Sequence, residues 1–278
     1  MLFLTWNLKG TERAFRLVLD HLRGVKEPFV AAFQELPEIV DSKSKAVRQT
    51  LALCGNHVQC LGVIGSLRAP GRLGLFSSDD VKATEPTTTD QNSRMAMTVV
   101  DVAGRSSLRV VGIHAIDRRN AATEYARGVW GALARLEIET FWKPNRPLVV
   151  LGDFNADPYD PEVSARKGLF ALRDRDEVRR NWESSLLPEP MRPLYNPMWH
   201  LLPESSTRPG GTYLLNSEDR GIRWRLCDQI LVSRELVSLL SGLPEILSTI
   251  FNAALTTKSG HPSRRISDHL PVQLRIAL

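Results

Sequence analysis

The chain has 278 residues, of which 42% are hydrophobic and 24% are charged, a balance typical of globular proteins that bury a large core in one domain or two. This composition excludes disorder as the main state, and no stretch approaches the roughly 20 consecutive apolar residues of a membrane span. The formal charge of +5 is compatible with a polyanionic partner, but also with a merely basic enzyme surface.

The cysteines and the first residues indicate a compartment. Cys54, Cys60 and Cys227 are odd in number and lack metal-ligand spacing, so we expect reduced thiols in an intracellular protein. The chain begins without the basic lead and long apolar region of a signal peptide. We therefore expect a cytoplasmic protein without membrane insertion, and nothing in the sequence indicates a stable protein partner.

Two short apolar runs near the N-terminus each end in polar side chains. Leu2 to Trp6 predicts a strand that ends at Asn7, and Phe29 to Phe33 predicts a strand followed by Glu35. Thr11 begins a predicted helix between them. The apolar face of this helix consists of Phe15, Val18, Leu19 and Leu22. Open sheets place ligand sites at the carboxyl ends of strands, although a turn Asn and a solvated Glu remain ordinary alternatives.

The middle of the chain predicts further strands and two helices. The predicted strands are Val58 to Ile64, Leu73 to Ser77, Met95 to Val102 and Leu108 to Ile113, with a hairpin loop from Ala103 to Ser106. The predicted helices are Ser42 to Leu53 and Asn120 to Trp142, the second with an apolar face of Tyr125, Val129, Leu133, Leu136 and Phe141. His114 ends the fourth strand, either as a hydrogen-bonded structural residue or as a catalyst.

The stretch from Pro147 to Asp157 is the most informative. Leu148 to Leu151 is an apolar run that predicts a strand buried on both faces. Asp153 and Asn155 follow at spacing two, so a continued strand would point both side chains into one cleft. An Asx turn that ends the strand is the alternative, and this stretch alone leaves both interpretations open.

Two segments follow whose composition is unusual. The charged segment from Ser164 to Trp182 predicts a helix, and its arginines indicate a solvated face. They are Arg173, Arg175, Arg179 and Arg180. The Pro-rich stretch from Leu186 to Gly211 is too apolar for a flexible linker. We expect it to fold over the core as a long loop, and it is a candidate wall of a substrate site.

The C-terminal part adds the last polar groups. Trp224 to Val232 predicts a strand in which Asp228 is embedded, and this carboxylate needs a partner because an unpaired buried charge is costly. Asp268 and His269 precede a final predicted strand, Val272 to Leu278. The predicted strands together present one set of acid, amide and imidazole groups: Asn7, Glu35, His114, Asp153, Asn155, Asp228, Asp268 and His269.

The stretches that carry these groups resemble the endonuclease/exonuclease/phosphatase superfamily, the DNase I-like group, in its order of motifs. They are Thr5-Trp-Asn-Leu8, Phe33-Gln-Glu35, Gly112-Ile-His-Ala115, Gly152-Asp-Phe-Asn-Ala156, Arg225-Leu-Cys-Asp-Gln-Ile-Leu-Val-Ser233 and Ser267-Asp-His-Leu-Pro271. The resemblance covers nearly the whole chain. It implies an α+β fold, a four-layer sandwich of two packed, mostly antiparallel β-sheets flanked by helices, as a single domain over residues 1–278.

The resemblance also implies a metal centre for phosphodiester hydrolysis. Attack by water on a phosphodiester needs a cation to offset the developing negative charge, and carboxylate oxygens suit Mg²⁺ or Mn²⁺. By resemblance, Glu35 would be the principal ligand. Asn7 and Asp268 would lie close to the metal or its waters.

The remaining groups would act on the water and the phosphate. Asp153 would orient or deprotonate the attacking water, and Asn155 would hold Asp153 or the phosphate. His269, oriented by Asp228, would contact the scissile phosphate. His114 would be a second phosphate-side donor or the leaving-group acid. Thr212 and Tyr213 fall where the family often has a pair that lines the cleft.

The substrate is predicted less sharply. Relatives that cut at abasic sites usually carry a Tyr with a nearby Asn where this chain has His114-Ala-Ile-Asp117, and His here resembles DNase I or the lipid and phosphoinositide branches. The sequence lacks an obvious membrane-binding insertion. We therefore predict a metal-dependent nuclease that acts on DNA or RNA by in-line water attack. The alternatives are a phosphatase or phosphodiesterase for a small molecule or phospholipid, and a non-catalytic phosphate-binding module.

Overall fold

The computed structural model describes residues 1–37, 57–64, 72–85, 87–89, 94–102, 107–117, 124–143, 146–180, 192–202, 209–215 and 223–278. The predicted helix from Ser42 to Leu53 and the predicted loop from Ala103 to Ser106 lie outside these residues, as does part of the Pro-rich stretch.

The strands follow one another through most of the described chain. In chain order they are β1 (Leu2–Asn7), β2 (Phe29–Gln34), β3 (Gln59–Ile64), β4 (Leu73–Ser77), β5 (Val81–Ala83), β6 (Thr88–Thr89), β7 (Met95–Val102), β8 (Leu108–His114), β9 (Leu148–Asp153), β10 (Ala171–Leu172), β11 (Leu194–Tyr195), β12 (Tyr213–Leu214), β13 (Trp224–Arg225), β14 (Asp228–Val232), β15 (Glu245–Ile246), β16 (Thr249–Ile250), β17 (Ala253–Ala254) and β18 (Val272–Arg275).

Most strands belong to two sheets. One has six strands in the order β15-β18-β1-β2-β4-β3, and the other has eight, ordered β10-β11-β14-β9-β8-β7-β5 with β6 also paired to β7. The pairs β1/β2, β8/β9 and β10/β11 are parallel. The other pairs in the two sheets are antiparallel, including the β7/β8 pair predicted as a hairpin.

The helices within the described residues are α1 (Glu12–Gly24), α2 (Glu124–Phe141), α3 (Pro161–Ser164) and α4 (Arg175–Arg179), with 3₁₀ turns at Pro197–Leu201 and Arg234–Leu239. The first of them begins as predicted, because the Oγ1 atom of Thr11 accepts a hydrogen bond of 3.2 Å from the backbone N–H of Ala14. None of the described helices is long and apolar enough to cross a membrane.

Alternation along the strands builds the layers. Phe3 points into the core between the two sheets, where it meets side chains such as Val149 and Ile230 of the second sheet. Its neighbour Leu4 points the other way, into a cluster with Phe15 of α1. On the far face of the second sheet, Trp130 of α2 packs in a third cluster. The result is a four-layer sandwich in the order helix, sheet, sheet, helix, which confirms the predicted fold.

The predicted apolar face of α2 is wrong. Tyr125 is 81% exposed and Leu136 is 64% exposed, and Val129 and Leu133 are also exposed. The helix instead packs against the second sheet through Trp130, Ala134 and Ile138. Both stripes are apolar, so the sequence pattern could not choose between them. The stripe with the larger aromatic side chain faces the sheet, where it removes more apolar area from water.

The predicted helix from Ser164 to Trp182 is also wrong over most of its length. Its first part is turns, followed by β10, which pairs with β11, and then by the short helix α4. Tertiary pairing with a later strand overrides the local helical preference here. The arginines are not a free basic face either. Arg180 lies 2.5 Å from Glu177, and the Nε atom of Arg175 donates to the hydroxyl of Tyr195 at 3.2 Å.

Of two other predictions, the one for the strand around Asp228 needs adjustment. The predicted strand from Trp224 to Val232 is interrupted, so that Asp228 is the first residue of β14. The described part of the Pro-rich stretch folds onto the core as predicted, because Met198 and Leu201 are buried in the cluster between the sheets. Its role as a substrate wall stays a prediction.

Gly152 is required by the close approach of β8 and β9. It lies opposite Ile113 with a φ of 155°, and a Cβ atom added there would overlap the carbonyl oxygen of Ile113. We expect Gly152→Ala to lower the free energy of unfolding by about 2–3 kcal/mol. Denaturant titration measures this change. The matched control is Gly128→Ala on α2, where a Cβ atom meets nothing within 4 Å and stability should rise slightly. Equal stability of the Gly152→Ala variant and the unsubstituted chain would contradict the assignment.

Candidate active site

Strand pairing brings the polar residues to one edge of the two sheets. In the parallel β1/β2 pair, Asn7 lies opposite Gln34, immediately before Glu35. In the second sheet, Asp153 lies opposite His114 on one side and Asp228 on the other. Parallel strands end at the same edge of a sheet, so residues that are far apart in the sequence come together in one cluster.

Asp153 lies at the centre of this cluster and is only 1% exposed. Its Oδ2 atom accepts a hydrogen bond of 2.9 Å from the amide of Asn7, which also donates to Glu35 at 3.1 Å. Its Oδ1 atom accepts the backbone N–H of Asn155 at 2.8 Å. The stretch therefore ends in the Asx turn that was the alternative interpretation, while the second carboxylate oxygen still faces Asn7.

The predicted alternation of Asp153 and Asn155 is wrong. Strand β9 ends at Asp153, and Asn155 has a φ of 49°, outside the extended region. The side-chain amide of Asn155 donates to the carbonyl of Ala115 at 3.1 Å. Asn155 therefore fixes the turn that holds Asp153 and ties it to the chain that follows β8.

His269 and Asp228 form a buried pair beside Asp153. The Nδ1 atom of His269 lies 2.8 Å from Oδ2 of Asp228, and Nε2 lies 3.9 Å from Oδ2 of Asp153. The backbone N–H of Asp228 donates to Oγ1 of Thr212 at 3.1 Å, and the ring of Tyr213 lies 4.8 Å from the imidazole. The embedded carboxylate thus has the partner that its burial requires.

Nearby charge and burial together decide which of the two imidazoles, His269 or His114, carries a proton. Burial alone would lower the pKa of His269, but the carboxylates of Asp228 and Asp153 outweigh it and raise that pKa to about 10. Burial lowers the pKa of His114 despite the opposing effects of Asp153 and Glu35. At neutral pH His269 is therefore an imidazolium and His114 is neutral. Burial also raises the pKa of Asp153, although the cationic His269 opposes the shift, and this makes the carboxylate a stronger base.

His114 has spare hydrogen-bonding capacity. Its Nε2 atom lies 3.8 Å from Oε1 of Glu35, and its Nδ1 atom is buried without a hydrogen-bond partner among the described residues. Buried polar atoms are usually satisfied. A neutral imidazole with one uncommitted nitrogen at the edge of the cluster is suited to bind a ligand.

Asp268 lies at the rim, and the structure adds a residue that sequence reasoning missed. Oδ2 of Asp268 is 2.7 Å from Nζ of Lys9, whose backbone N–H donates to Oδ1 of Asn7 at 3.0 Å. The position of Lys9, two residues after Asn7, was a signal, but only the fold shows which carboxylate it meets. Asn7 thus presents its amide nitrogen, and not its oxygen, to Glu35 and Asp153.

Two further missed residues hold His269 in place. Oγ of Ser267 accepts the backbone N–H of His269 at 3.1 Å and donates to the carbonyl of Asn7 at 2.6 Å. The indole N–H of Trp6 donates to the carbonyl of His269 at 2.9 Å. Each lies directly beside a predicted site residue, yet nothing in the sequence pairs the first strand with the last.

Two sets of side chains are candidates for a metal ion. The ligand atoms of Asp153, Asp228 and His269 lie within 4.8 Å of one another and could hold an ion. His269 could coordinate an ion only after release of its proton, and its raised pKa opposes that release. Glu35 keeps a carboxylate that is 40% exposed, and Asp268 is 24% exposed beside Lys9. These two carboxylates offer only oxygen ligands, which suit a hard divalent cation better.

A family model described as "Endonuclease/Exonuclease/phosphatase family" matches residues 4–269. The chain belongs to the endonuclease/exonuclease/phosphatase family. The resemblance drawn from the motifs is confirmed, and members of this family are phosphoesterases. A search of curated protein sequences gives no match.

Solved structures of this family have the same fold. An AP endonuclease from Archaeoglobus fulgidus aligns with a TM-score of 0.62 at 14% identity, over 100% of both chains. The 3'-5' exonuclease NExo from Neisseria meningitidis aligns with a TM-score of 0.53 at 18% identity, also over 100% of both chains. Truncated TDP2 from Caenorhabditis elegans aligns with a TM-score of 0.58 at 12% identity, over 98% of this chain and 96% of its own. At these identities the likeness shows the fold alone.

Proposed function

We propose that this protein is a Mg²⁺- or Mn²⁺-dependent phosphodiester hydrolase that cleaves DNA or RNA, on one domain spanning residues 1–278. The observation that carries the proposal is the position of Asp153. Its carboxylate is held by Asn7 on one side and by the Asn155 turn on the other, 3.9 Å from the Nε2 atom of His269. A base and a cation therefore lie side by side, close enough to contact the attacking water and an oxygen of the same phosphate.

Each side chain of the site has a separate role in hydrolysis. Asp153 orients a water molecule and accepts its proton as the water oxygen bonds to phosphorus and the bond to the leaving oxygen breaks. The imidazolium of His269 donates to a non-bridging phosphate oxygen and stabilises its developing charge. Asp228 holds the ring in that orientation. His114 donates to the phosphate or to the leaving oxygen.

The proposed metal site is Glu35 with Asp268. Asn7 holds the carboxylates of Glu35 and Asp153 in place by donating a hydrogen bond to each. A bound divalent cation there would neutralise charge on the phosphate and the leaving oxygen. The Lys9 ammonium at Asp268 is a further positive charge at the same rim. Nucleic acid is the favoured substrate because the chain has a net charge of +5, and because the solved relatives include proteins named as an exonuclease and an AP endonuclease.

A substrate panel with and without metal tests the proposal. We expect cleavage of single-stranded DNA, double-stranded DNA or RNA in Mg²⁺, and a loss of roughly 10²-fold or more when EDTA removes the ion. Added Mg²⁺ in excess should restore cleavage. Gel analysis of labelled products measures both changes. Cleavage that is insensitive to EDTA would contradict the metal dependence.

The same panel decides between the alternatives. Hydrolysis of phosphoinositides, sphingomyelin or free nucleotides without cleavage of any nucleic acid would indicate a phosphatase or phosphodiesterase for small molecules or phospholipids. Metal-independent binding of these compounds without turnover of any of them would indicate a non-catalytic module.

A further inference from the structure

A cavity of about 390 Å³ adjoins the proposed site at Asp268. Its volume lies within the roughly 300–1,000 Å³ that is usual for small-ligand sites. Besides Asp268, it is lined by Leu214, Thr257, Ser259, His261, Pro262 and Arg264. None of these other residues takes part in the mechanism proposed above. The cavity therefore offers room for a group attached to the reacting phosphate.

The cavity is formed by an ordered turn of the chain that leads directly into the site. The backbone N–H of Thr257 donates to the carbonyl of His261 at 2.7 Å, and that of Ser263 donates to Leu255 at 2.7 Å. Ile266 then donates to the carbonyl of Ser263 at 2.7 Å, one residue before Ser267, which holds His269. The wall of the cavity and the catalytic imidazole are therefore fixed by one continuous network.

The charge of this segment selects an anion. Lys258, Arg264 and Arg265 are exposed, and no carboxylate among the described residues forms an ion pair with them. This distinguishes them from Arg179 and Arg180, which pair with neighbouring acids. The acid of the cavity, Asp268, is already balanced by Lys9. Arg264 lines the cavity, and Lys258 and Arg265 are neighbours of lining residues in the chain, so this charge indicates a site for a second phosphate.

The other lining groups fit a sugar and a base. Leu214 and Pro262 supply apolar surface, while the hydroxyls of Thr257 and Ser259 lie 2.8 Å apart and can bond to sugar oxygens. The ring of His261 is held edge-on by Trp224 at 6.4 Å. Apolar surface, hydroxyls and the Arg264 cation in one cavity are the complement of a nucleotide, whereas a bare phosphate would use only the cation.

We infer that this cavity binds the nucleotide next to the scissile phosphate, with its sugar and base against Leu214 and Pro262. The phosphate of that nucleotide would bind Arg264, which lines the cavity, and Lys258, which lies in the chain between the lining residues Thr257 and Ser259. The inference rests on the proposed function, because it assigns the neighbouring unit of a nucleic-acid substrate. It makes the loop from Leu255 to Ile266 the part of the protein that distinguishes a polynucleotide from an isolated phosphodiester.

Binding to an inactive protein tests the inference apart from catalysis. In an Asp153→Asn background, the double substitution Lys258→Gln/Arg264→Gln should weaken binding of a fluorescent single-stranded oligonucleotide roughly tenfold. Because both side chains are assigned to one phosphate, the slope of log K against log salt should fall by roughly 0.7. The matched control is Lys26→Gln/Lys82→Gln, which removes two exposed charges. Lys26 precedes β2 and Lys82 lies in β5 opposite Asp101 of β7, at the ends of β2 and β7 that lie away from the site. This control should change neither the affinity nor the salt slope.

A comparison of two substrates gives an independent readout. In the active protein, the double substitution should lower the ratio of kcat/KM for an oligonucleotide to kcat/KM for bis(p-nitrophenyl) phosphate, which has no neighbouring nucleotide. Unchanged affinity, salt slope and ratio would overturn the inference. Binding of phosphoinositide vesicles but not of oligonucleotide would overturn it as well. If the inactive protein binds oligonucleotide through this cavity but the active one cleaves none, the proposed function fails, and the cavity remains only a nucleotide-binding site.

Discussion

Substitution of Asp153 by Asn lowers kcat for nucleic-acid cleavage by roughly 10²–10⁴-fold, the usual contribution of a positioned base. The amide oxygen of Asn still accepts the N–H of Asn155, so the turn after β9 is kept. The change removes the negative charge that faces His269 and the group that accepts the proton of the attacking water. Single-turnover kinetics measures the chemical step, and we expect binding of the oligonucleotide to be retained.

A charge-matched control separates this effect from a general one. Asp80→Asn removes an exposed carboxylate in the turn before β5, at the end of β4 that lies away from Glu35. This variant should cleave as fast as the unsubstituted protein. If Asp153→Asn also kept its activity while it remained folded, the role assigned to Asp153 would be wrong.

Asp228→Asn is expected to lower the pKa of His269, so that its imidazole loses its positive charge at neutral pH. In the metal-free protein the two carboxylates raise the pKa of His269 to about 10, and loss of one of them should move this pKa down toward the ordinary value near 6.5. A raised pKa stabilises the fold fully below the unfolded value, and this contribution is lost as pH rises through about 10. The variant should therefore lose stability at neutral pH, and kcat should fall roughly 10²–10⁴-fold because the phosphate loses its cationic partner.

NMR titration of the imidazole in chelator measures the pKa directly, and kinetics at pH 7 measures the loss of activity. Asp174→Asn is the control, since Asp174 caps α4 at the edge of the second sheet that contains β10. The pKa of His269 should stay at about 10 in this control. An unchanged pKa in Asp228→Asn would show that another group holds the proton on His269.

The strand ends were predictable because short apolar runs followed by polar residues are local patterns. Asn7, Glu35, His114 and Asp153 were each found in this way, and the parallel pairs of strands carry them to one edge. Their bonding partners were not predictable. Lys9 and Ser267 contact site residues more than 250 positions away along the chain, and no local pattern encodes such a contact.

Helix α2 also has one property that the sequence predicts and one that it does not. A helix between Asn120 and Trp142 follows from its composition and spacing, and the structure has one from Glu124 to Phe141. Which side of it is buried does not follow, because Leu133 and Trp130 belong to two apolar stripes of similar strength. Packing against the second sheet buries the stripe that contains Trp130, and this leaves Leu133 half-exposed.

For Asp153, the sequence by itself determined that a carboxylate follows a buried strand, since burial and turn preferences are properties of neighbouring residues. Only the tertiary structure decided that one of its oxygens closes a turn while the other meets Asn7 and faces a protonated His269. That protonation arises because Asp153, Asp228 and His269 come from three separate strands or loops and are buried together. Charge coupling of this kind depends on distance and solvent exclusion, which exist only in the folded chain.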